Sequence, residues 1–190
     1  MREIEVKILE IDKSAIEKKL RAFGAKKVFD GTIDCRYYDL PSRSLQKRGI
    51  VLRLRRKGMC GELTVKTDLK RTKGAKTAQE LETPVSFELT RQILHSLGYR
   101  ELIRTRKHRI DYALGAVHFE IDKLPGIPWF LEIEAPSQKA LKAMVKALGF
   151  LPADAKPWWW ADVVEHYRAK TARQGEPSQP ARRKGRQRRK

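Results

Sequence analysis

The N-terminal stretch Glu3-Ile4-Glu5-Val6-Lys7 decides how the chain folds, because charged and apolar residues alternate along it without interruption. A period of two is that of a β-strand, in which successive side chains point to opposite faces. Glu3, Glu5 and Lys7 therefore share one face of the strand. Ile4 and Val6 share the other. The stretch predicts a strand with one charged face and one apolar face.

Further segments repeat this alternation. The predicted strands are residues 2–9, 34–39, 50–57, 62–67, 79–83, 105–112, 116–122 and 130–135. Their polar faces carry carboxylates on some strands and Lys or Arg on others, with almost no Ser, Asn or Gln. A sheet whose polar side faces bulk water does not require such segregation. We therefore expect the sheet to curl into a barrel, with its charged faces inward and its apolar faces covered by helices.

Amphipathic helices are predicted between the strands, where apolar residues recur every three or four positions. They run from Asp12 to about Gly24, and over about 86–96, 137–148 and 160–168. In the second helix, we expect the apolar side chains to point inward; these are Leu89, Ile93, Leu94 and Leu97. Many strands with few helices indicate an α+β fold around an antiparallel sheet or barrel.

A lumen with both carboxylates and basic side chains suits a metal-bound polyphosphate. Burying an unpaired charge costs on the order of several kcal/mol, so such a lumen must be wet, internally paired or filled with ligand. Hard divalent cations bind carboxylate oxygens, and Lys and Arg bind phosphate oxygens. The carboxylates would repel a polyphosphate in the absence of a metal. We therefore expect the function to depend on a divalent cation.

Composition restricts the class of protein. The 190 residues include 42 Lys or Arg and 23 Asp or Glu, so the formal net charge of +19 should attract polyanions. No apolar run reaches the roughly 18 residues of a membrane helix, and the N-terminus has no apolar core typical of a secretory signal. The two cysteines, Cys35 and Cys60, cannot form a disulfide framework. We expect a cytoplasmic protein with no membrane span.

The chain is predicted to contain one domain, residues 1–168, followed by a basic tail, residues 169–190. The tail has many basic residues and no large apolar residue, so we predict that it is disordered. It could bind nucleic acid or an anionic surface by counterion release, or it could only increase solubility.

Two other segments allow alternative interpretations. Residues 66–76 are rich in Lys and are predicted to form a mobile basic loop, which either closes over bound polyphosphate or is simply exposed. Residues 158–160 are three consecutive tryptophans. They could stack on a base or a thiazole ring, or they could dock a C-terminal helix onto the barrel.

Together these motifs resemble the CYTH family, the triphosphate tunnel metalloenzymes, over roughly residues 1–168. The N-terminal stretch is similar to that family's ExExK signature. Motifs similar to its later strands follow in the family's order: Leu52-Arg53-Leu54-Arg55, Leu63-Thr64-Val65-Lys66, Glu80-Leu81-Glu82, Lys107-His108-Arg109, Glu120-Ile121-Asp122 and Phe130-Leu131-Glu132-Ile133-Glu134. The resemblance implies an eight-stranded antiparallel β-barrel, or tunnel, that binds a triphosphate with Mg²⁺ or Mn²⁺.

The resemblance also implies roles for individual residues. The implied metal ligands are Glu3, Glu5, Asp122, Glu132 and Glu134. The implied phosphate-binding residues are Lys7, Arg53, Arg55, Lys66, Lys107 and Arg109. Glu3, Glu5 and Lys7 are also the predicted catalytic residues. Glu80, Glu82 and Glu120 could orient the basic side chains or bind a second metal.

Several activities are compatible with this resemblance. The segment spacing looks most like the side of the family that includes class IV adenylyl cyclases and thiamine triphosphatases. Of these activities we favour that of the adenylyl cyclases, which convert ATP to cyclic AMP and pyrophosphate. A triphosphatase that hydrolyses thiamine triphosphate or inorganic triphosphate is the near alternative. A non-catalytic module that binds polyphosphate or RNA is the third. The resemblance also makes a homodimer plausible.

Overall fold

The computed structural model describes residues 2–72 and 74–174, with the side chains of residues 2, 3, 173 and 174 left out. The strands of this described part are β1 (Arg2–Ile8), β2 (Lys26–Asp39), β3 (Val51–Lys57), β4 (Cys60–Arg71), β5 (Lys76–Val85), β6 (Arg100–Leu114), β7 (Val117–Lys123) and β8 (Phe130–Glu134). The helices are α1 (Lys13–Ala22), α2 (Ser44–Lys47), α3 (Phe87–Ser96), α4 (Gln138–Ala147) and α5 (Trp160–Gln174).

The eight strands form a closed antiparallel barrel in the order β1-β5-β4-β3-β2-β6-β7-β8. Closure satisfies the backbone groups that a sheet edge would expose. The helices pack on the outside of the barrel, against its apolar face. The predicted fold class, an α+β eight-stranded antiparallel barrel, is confirmed. None of the described helices is both long and apolar enough to span a membrane.

Several strands extend beyond their predicted bounds. β2 begins at Lys26 rather than Asp34, because β2 pairs with β6 along almost the whole length of β2, including its first half. β4 continues to Arg71 and β5 starts at Lys76. The prediction of a loop over residues 66–76 is therefore wrong for the described part of this segment, most of which forms the end of a hairpin. A bulge between Thr67 and Lys70, with Asp68 at a φ of 50°, interrupts the alternation that would have revealed it.

The outer face of β1, β6, β7 and β8 forms the largest apolar core with α1 and α4. Val6 and Ile8 of β1 are almost fully buried here, as are Ile16 and Leu20 of α1. The carboxylate of Asp12 accepts a hydrogen bond from the Ala15 N–H at 3.0 Å and so caps α1, as predicted. These helices protect the apolar side of the barrel from water, and the polar side is left to face the lumen.

Helix α3 packs on the barrel by a narrower face than its sequence predicts. Phe87 and Leu94 are buried against β3 and β4. Leu89, Ile93 and Leu97 are 57%, 49% and 64% exposed. The prediction that these three side chains point inward is wrong, because the helix lies on a convex barrel wall and only one edge of its apolar stripe reaches that wall.

The C-terminal segment lies across one end of the barrel. Lys156 and Lys7 exchange two backbone hydrogen bonds of 2.8 Å, which attaches this segment to β1. Val163 and Tyr167 of α5 pack against Phe130 at the start of β8. α5 continues to Gln174, so residues 169–174, which were assigned to a disordered tail, are helical. The rest of the predicted tail, residues 175–190, lies outside the described residues.

Candidate active site

The charged strand faces enclose a cavity of about 790 Å³ inside the barrel. This volume is typical of a site for a small-molecule ligand. The carboxylates that line it are Glu5, Glu80, Glu82, Asp111, Glu120, Glu132 and Glu134. The basic side chains that line it are Lys7, Arg53, Arg55, Lys57, Lys66, Lys76, Lys107 and Arg109. Asp122 lines a smaller cavity of about 40 Å³ that shares Lys7, Lys107 and Glu132 with the larger one.

The structure thus brings together the side chains of all the predicted site residues except Glu3. The backbone of Glu3 lies in β1, but its side chain lies outside the described ones. The alternation also places neighbouring residues of one strand on opposite faces of the barrel wall. Lys107 points into the lumen, whereas Arg106 is exposed on the outside. Two residues that the sequence did not select, Lys57 and Lys76, also line the cavity.

Part of the lumen is a closely packed ionic network, which we name the deep cluster; its members are Glu5, Lys7, Lys76, Lys107, Arg109, Glu120, Asp122 and Glu132. At its centre, Asp122 is fully buried. Its carboxylate accepts hydrogen bonds from Arg109 Nε at 2.7 Å, Arg109 Nη2 at 2.6 Å and Lys107 Nζ at 2.7 Å. Burial alone would raise the pKa of Asp122, but Arg109 and Lys107 outweigh burial and hold this pKa below its ordinary value.

Glu132 is the second anionic centre of the deep cluster. It forms ion pairs with Lys7, with Lys76 at 3.2 Å and with Arg109 at 3.8 Å. Burial opposes the ionised form, yet these cations hold the pKa of Glu132 well below its usual range. Burial together with the charge of Glu132 raises the pKa of Glu120, although Glu120 pairs with Arg109. The deep cluster therefore combines strongly ionised carboxylates with one that ionises less readily.

Lys76 is the more buried of the two basic site residues that sequence reasoning missed. It pairs directly across the sheet with Glu5, with which it forms an ion pair, and it is only 4% exposed. Its Nζ also lies 4.4 Å from the centroid of the Trp159 ring. A signal was present in the sequence, because Lys76 has the same parity as Glu80 and Glu82 on one strand. The strand was predicted to start too late for this parity to be noticed.

The opposite wall of the lumen carries a more open network, which we name the shallow cluster; its members are Arg53, Arg55, Glu62, Thr64, Lys66, Glu80 and Glu82. Arg53 Nη2 lies 3.4 Å from Glu80, 3.3 Å from Glu82 and 3.2 Å from Thr64 Oγ1. Arg55 pairs with Glu62 and, at 3.2 Å, with Glu82. Lys66 Nζ lies 2.5 Å from Glu80. The shallow cluster therefore presents two guanidinium groups and one ammonium group to the cavity, each balanced by carboxylates.

Three carboxylates of the deep cluster fit a divalent metal ion. Oxygen atoms of Glu120, Asp122 and Glu132 all lie within 4.8 Å of one another. Oxygen donors of this kind are the ligands that Mg²⁺ and Mn²⁺ prefer. Among the described side chains, this group includes neither Glu5 nor Glu134, although both line the same cavity. The donor set thus fits the predicted cofactor, with Glu120 as one of its members.

Aromatic side chains close the end of the cavity that lies beneath the C-terminal segment. Trp159 and Trp160 line the cavity, and the Trp160 ring stacks on Tyr37 with the centroids 5.7 Å apart. Burial raises the pKa of the Tyr37 hydroxyl, so this group is neutral at ordinary pH. The tryptophans therefore dock the C-terminal helix onto the barrel, which is one of the two interpretations that the sequence allowed. Trp159 and Trp160 also form part of the cavity wall.

Comparisons with known proteins agree with this architecture. The CYTH domain family matches residues 1–151. A protein of Methanocaldococcus jannaschii, provisionally named an adenylate cyclase, is 30% identical over 135 residues, which are 70% of this chain and 77% of that protein.

Two solved structures share the fold. One is from Vibrio parahaemolyticus and is provisionally named an adenylate cyclase; it has a TM-score of 0.76 at 19% sequence identity. The superposition covers 86% of this chain and 97% of the Vibrio chain. Another, a provisionally named adenylyl cyclase from Hippeastrum with a dominant triphosphatase activity, has a TM-score of 0.60 at 15% identity. The superposition covers 88% of this chain and 96% of the Hippeastrum chain. At these identities the likeness is one of fold alone.

Proposed function

The chain belongs to the CYTH domain family, and we propose that it is a metal-dependent enzyme that acts on a triphosphate inside its tunnel. The observation that carries this proposal is the balanced lumen. Each described Lys or Arg side chain that lines the cavity is paired with a carboxylate. A lumen of this kind is built to exchange ion partners when a ligand enters.

The exchange follows from the charges. A triphosphate brings a charge near −4, and Lys and Arg bind phosphate oxygens more tightly when carboxylates do not compete for them. A divalent cation held by Glu120, Asp122 and Glu132 would draw these carboxylates to itself and would offset charge that develops on the phosphate oxygens. Arg109 and Lys107, which pair with Asp122, would then be available to the phosphates.

The predicted phosphate-binding residues have distinct positions in this proposal. Arg53 and Arg55 present planar forks from β3, which suit the oxygens of a phosphate group. Lys66 supplies a point charge beside them. Lys7, Lys107 and Arg109 would contact the triphosphate from the side of the deep cluster. Together they would hold the triphosphate in a fixed orientation for in-line attack, which lowers the barrier by positioning and by electrostatic stabilisation.

We propose adenylyl cyclase activity first, with ATP as substrate and cyclic AMP and pyrophosphate as products. The name of the Methanocaldococcus jannaschii relative supports this choice. In this reaction the ribose 3′-hydroxyl attacks the α-phosphorus, and pyrophosphate leaves with the electron pair of the broken bond. Glu3, Glu5 and Lys7 remain the proposed catalytic residues, and Glu3, Glu5 and Glu134 remain predicted metal ligands beside the three grouped carboxylates.

Triphosphate hydrolysis is the second candidate. The reported activity of the Hippeastrum protein of the same fold favours it. The same cations would hold the substrate, but a water molecule would attack a phosphorus atom in place of the ribose hydroxyl. Thiamine triphosphate and inorganic triphosphate are the substrates to be compared with ATP.

One assay separates these candidates. The full chain is incubated with ATP, thiamine triphosphate or inorganic triphosphate, with Mg²⁺, Mn²⁺ or a chelator, and cyclic AMP and phosphate are measured separately. Cyclic AMP from ATP with either metal, and none with the chelator, is the expected result. Phosphate release without cyclic AMP would establish hydrolysis instead, and no turnover of any substrate would contradict an enzymatic function.

A matched pair of variants tests the tunnel itself. Lys107 and Arg106 are neighbours on β6, but Lys107 points into the lumen and Arg106 points to solvent. Lys107→Ala should lower kcat/KM by about tenfold or more, since a hydrogen bond to a charged group is worth about 1.5–3 kcal/mol. Arg106→Ala removes the same charge from the outside and should leave the kinetics unchanged. Equal effects of the two changes would place the reaction outside the tunnel.

A further inference from the structure

Helix α3 and the outer face of β5 carry large apolar side chains that remain exposed to solvent. Leu89, Ile93 and Leu97 form a stripe along α3, and Leu81 of β5 is 66% exposed. Leu81 lies directly across the sheet from Val65 of β4, which packs in the same apolar cluster as α3. We name the surface made by Leu81, Leu89, Ile93 and Leu97 the α3 face. A group of exposed apolar residues marks an interaction site more often than a single exposed residue does.

The stripe lies on the edge of α3 that is directed towards β5. α3 packs across β3 and β4, and β5 is the next strand beyond β4. Because successive residues turn by about 100° along a helix, Glu88 and Ile93 lie on opposite sides of the buried residues Phe87 and Leu94. Glu88 forms an ion pair of 2.7 Å with Arg56 of β3, so the edge that carries Ile93 is the one nearer to β5. Leu81 therefore extends the stripe onto the barrel wall.

The α3 face is uncharged in a chain that is otherwise rich in charge. The sequence from Thr77 to Gly98 contains a single Lys or Arg, Arg91, although the whole chain has 42 in 190 residues. The side chains of Glu80 and Glu82 line the lumen instead. Exposed polar residues without charge accompany the apolar ones; these are Gln79, Thr83, Gln92 and Ser96. An apolar centre with an uncharged polar rim is the composition of a protein–protein interface.

The charge of the protein indicates which partner fits this face. With a formal net charge of +19, two copies of the chain repel each other wherever their basic surfaces meet. Helix α1 contains four basic residues and one acidic residue, and α4 contains three and none, whereas α3 contains one of each. Two copies therefore meet with less repulsion through α3 than through α1 or α4. Residues 175–190 contain no large apolar residue, so they are unsuited to cover the face.

We propose that the α3 face is the contact surface of a homodimer, in which two copies of the chain bury it against each other. Leu89, Ile93 and Leu97 are spaced by four residues, so Ile93 lies at the centre of the stripe. In a two-fold symmetric dimer with antiparallel α3 helices, Ile93 packs against Ile93 of the second copy, and Leu89 packs against Leu97 of the second copy. The α3 face lies outside the barrel, so its role in assembly does not depend on the proposed triphosphate chemistry.

Sedimentation equilibrium of the full chain over a range of protein concentrations measures the assembly. The wild-type chain should sediment with twice the mass of one chain. Added NaCl should strengthen the dimer, because salt screens the repulsion between two basic copies and leaves the apolar contact intact. Ile93→Glu places a charge at the centre of the contact and should sediment as a monomer. Since Ile93 is 49% exposed in the single chain, this variant should keep its circular dichroism spectrum.

A matched control introduces the same charge at another exposed apolar residue. Leu151 is 67% exposed and follows α4, which packs against β1 and β8 rather than beside α3. Leu151→Glu should remain a dimer. Equal loss of the dimer in Ile93→Glu and Leu151→Glu would show a general effect of added charge and would overturn the assignment to the α3 face.

Cysteine cross-linking tests the position of the two-fold axis. Cys60 is exposed and Cys35 is buried, so Cys60→Ser provides the background. In that background, Ile93→Cys should form a disulfide between two copies under mild oxidation, because a disulfide requires Cα atoms within about 7 Å of each other and residues near a two-fold axis meet their own counterparts. Ala143→Cys, at an exposed position of α4, should not form one.

Each other outcome has a definite meaning. A wild-type chain that is monomeric at every concentration would overturn the homodimer, even if another protein binds the α3 face. A dimer that persists in a folded Ile93→Glu variant, or that salt weakens, would place the contact elsewhere. If Ile93→Glu does not fold, cross-linking decides alone, and a disulfide through residue 143 but not through residue 93 would overturn the assignment. Turnover by a monomer would contradict the homodimer alone, and a dimer without turnover would contradict the proposed function alone.

Discussion

The deep cluster and the shallow cluster line the same lumen, yet the centre of the deep cluster is more buried than the shallow cluster, although Lys107 and Glu120 of the deep cluster are 17% and 22% exposed. In the deep cluster, the side chains of Lys7, Arg109 and Asp122 are 2%, 4% and 0% exposed. In the shallow cluster, those of Arg53 and Glu82 are 13% and 30% exposed. Removal of one partner from a buried network leaves an uncompensated charge, whereas water can replace a partner in an open network. We therefore expect the deep cluster to contribute to both folding and function, and the shallow cluster chiefly to function.

The largest expected effect is at the centre of the deep cluster. Asp122→Ala would leave Arg109 and Lys107 without the carboxylate that accepts three of their hydrogen bonds. Breaking a buried pair in this way costs about 3–5 kcal/mol, so the free energy of unfolding in urea should fall by this amount. Metal-dependent turnover should be lost as well. A decrease in the free energy of unfolding smaller than about 1 kcal/mol would mean that the two clusters do not differ as proposed.

The next effect concerns the function of the shallow cluster. Arg53→Ala should lower kcat/KM by about tenfold or more, because a charge-assisted contact to phosphate is worth about 1.5–3 kcal/mol. Arg56 is the natural control, since it lies on the same strand but pairs with Glu88 on the outer surface. Arg56→Ala should leave the kinetics unchanged. If Arg53→Ala had unchanged steady-state kinetics, Arg53 would not contact the substrate.

A third effect is the response of the deep cluster to acid. The native pKa values of Asp122 and Glu132 lie below the ordinary values of 3.8 and 4.5. A lowered native pKa stabilises the fold above the unfolded pKa, and this stabilisation is lost as the pH falls through the native pKa. In the presence of a chelator, the contribution of these two groups should be constant from pH 7 to about pH 5 and decline below about pH 4.

Urea unfolding at several pH values measures this decline. Asp122→Asn lacks one of the two titrating carboxyls, so its stability should fall less steeply below about pH 4 than that of the wild type. An identical slope in the two proteins would show that Asp122 is not held ionised by Arg109 and Lys107.

The smallest expected effect is on the stability contributed by the shallow cluster. Glu82→Gln removes one charge next to Arg53 and Arg55, but both arginines keep another carboxylate partner. Partly exposed ion pairs contribute about 0–1 kcal/mol, so the change in the free energy of unfolding should stay below about 1 kcal/mol. A loss comparable to that of Asp122→Ala would remove the distinction between the clusters.

The faces of the strands could be predicted because alternation is a local property. Arg53 and Arg55 on β3, Glu120 and Asp122 on β7, and Glu132 on β8 point into the lumen as their parity requires. Each is separated from its neighbour on the same face by one apolar residue. Because a one-residue slip would bury the charges against the helices and expose the apolar residues, the pattern leaves one workable orientation.

Strand extents and helix faces could not be predicted in the same way. The first half of β2 has little alternation, and its strand character comes from pairing with β6. Leu89, Ile93 and Leu97 of α3 are apolar at helical spacing, but the curvature of the barrel leaves them exposed. In both cases the deciding partner lies far away in the sequence, so no local pattern reports it.

The sequence by itself determined that charged faces of a closed sheet point inward and that carboxylates and basic residues share the lumen. The two-residue period defines the two faces of each strand, and the segregation of acids and bases across the strands indicates which face points inward. Only the tertiary structure decided which acid meets which base, including the capture of Glu5 and Glu132 by Lys76. The physical reason is that an ion pair depends on register between strands and on burial, and both arise only when the barrel closes.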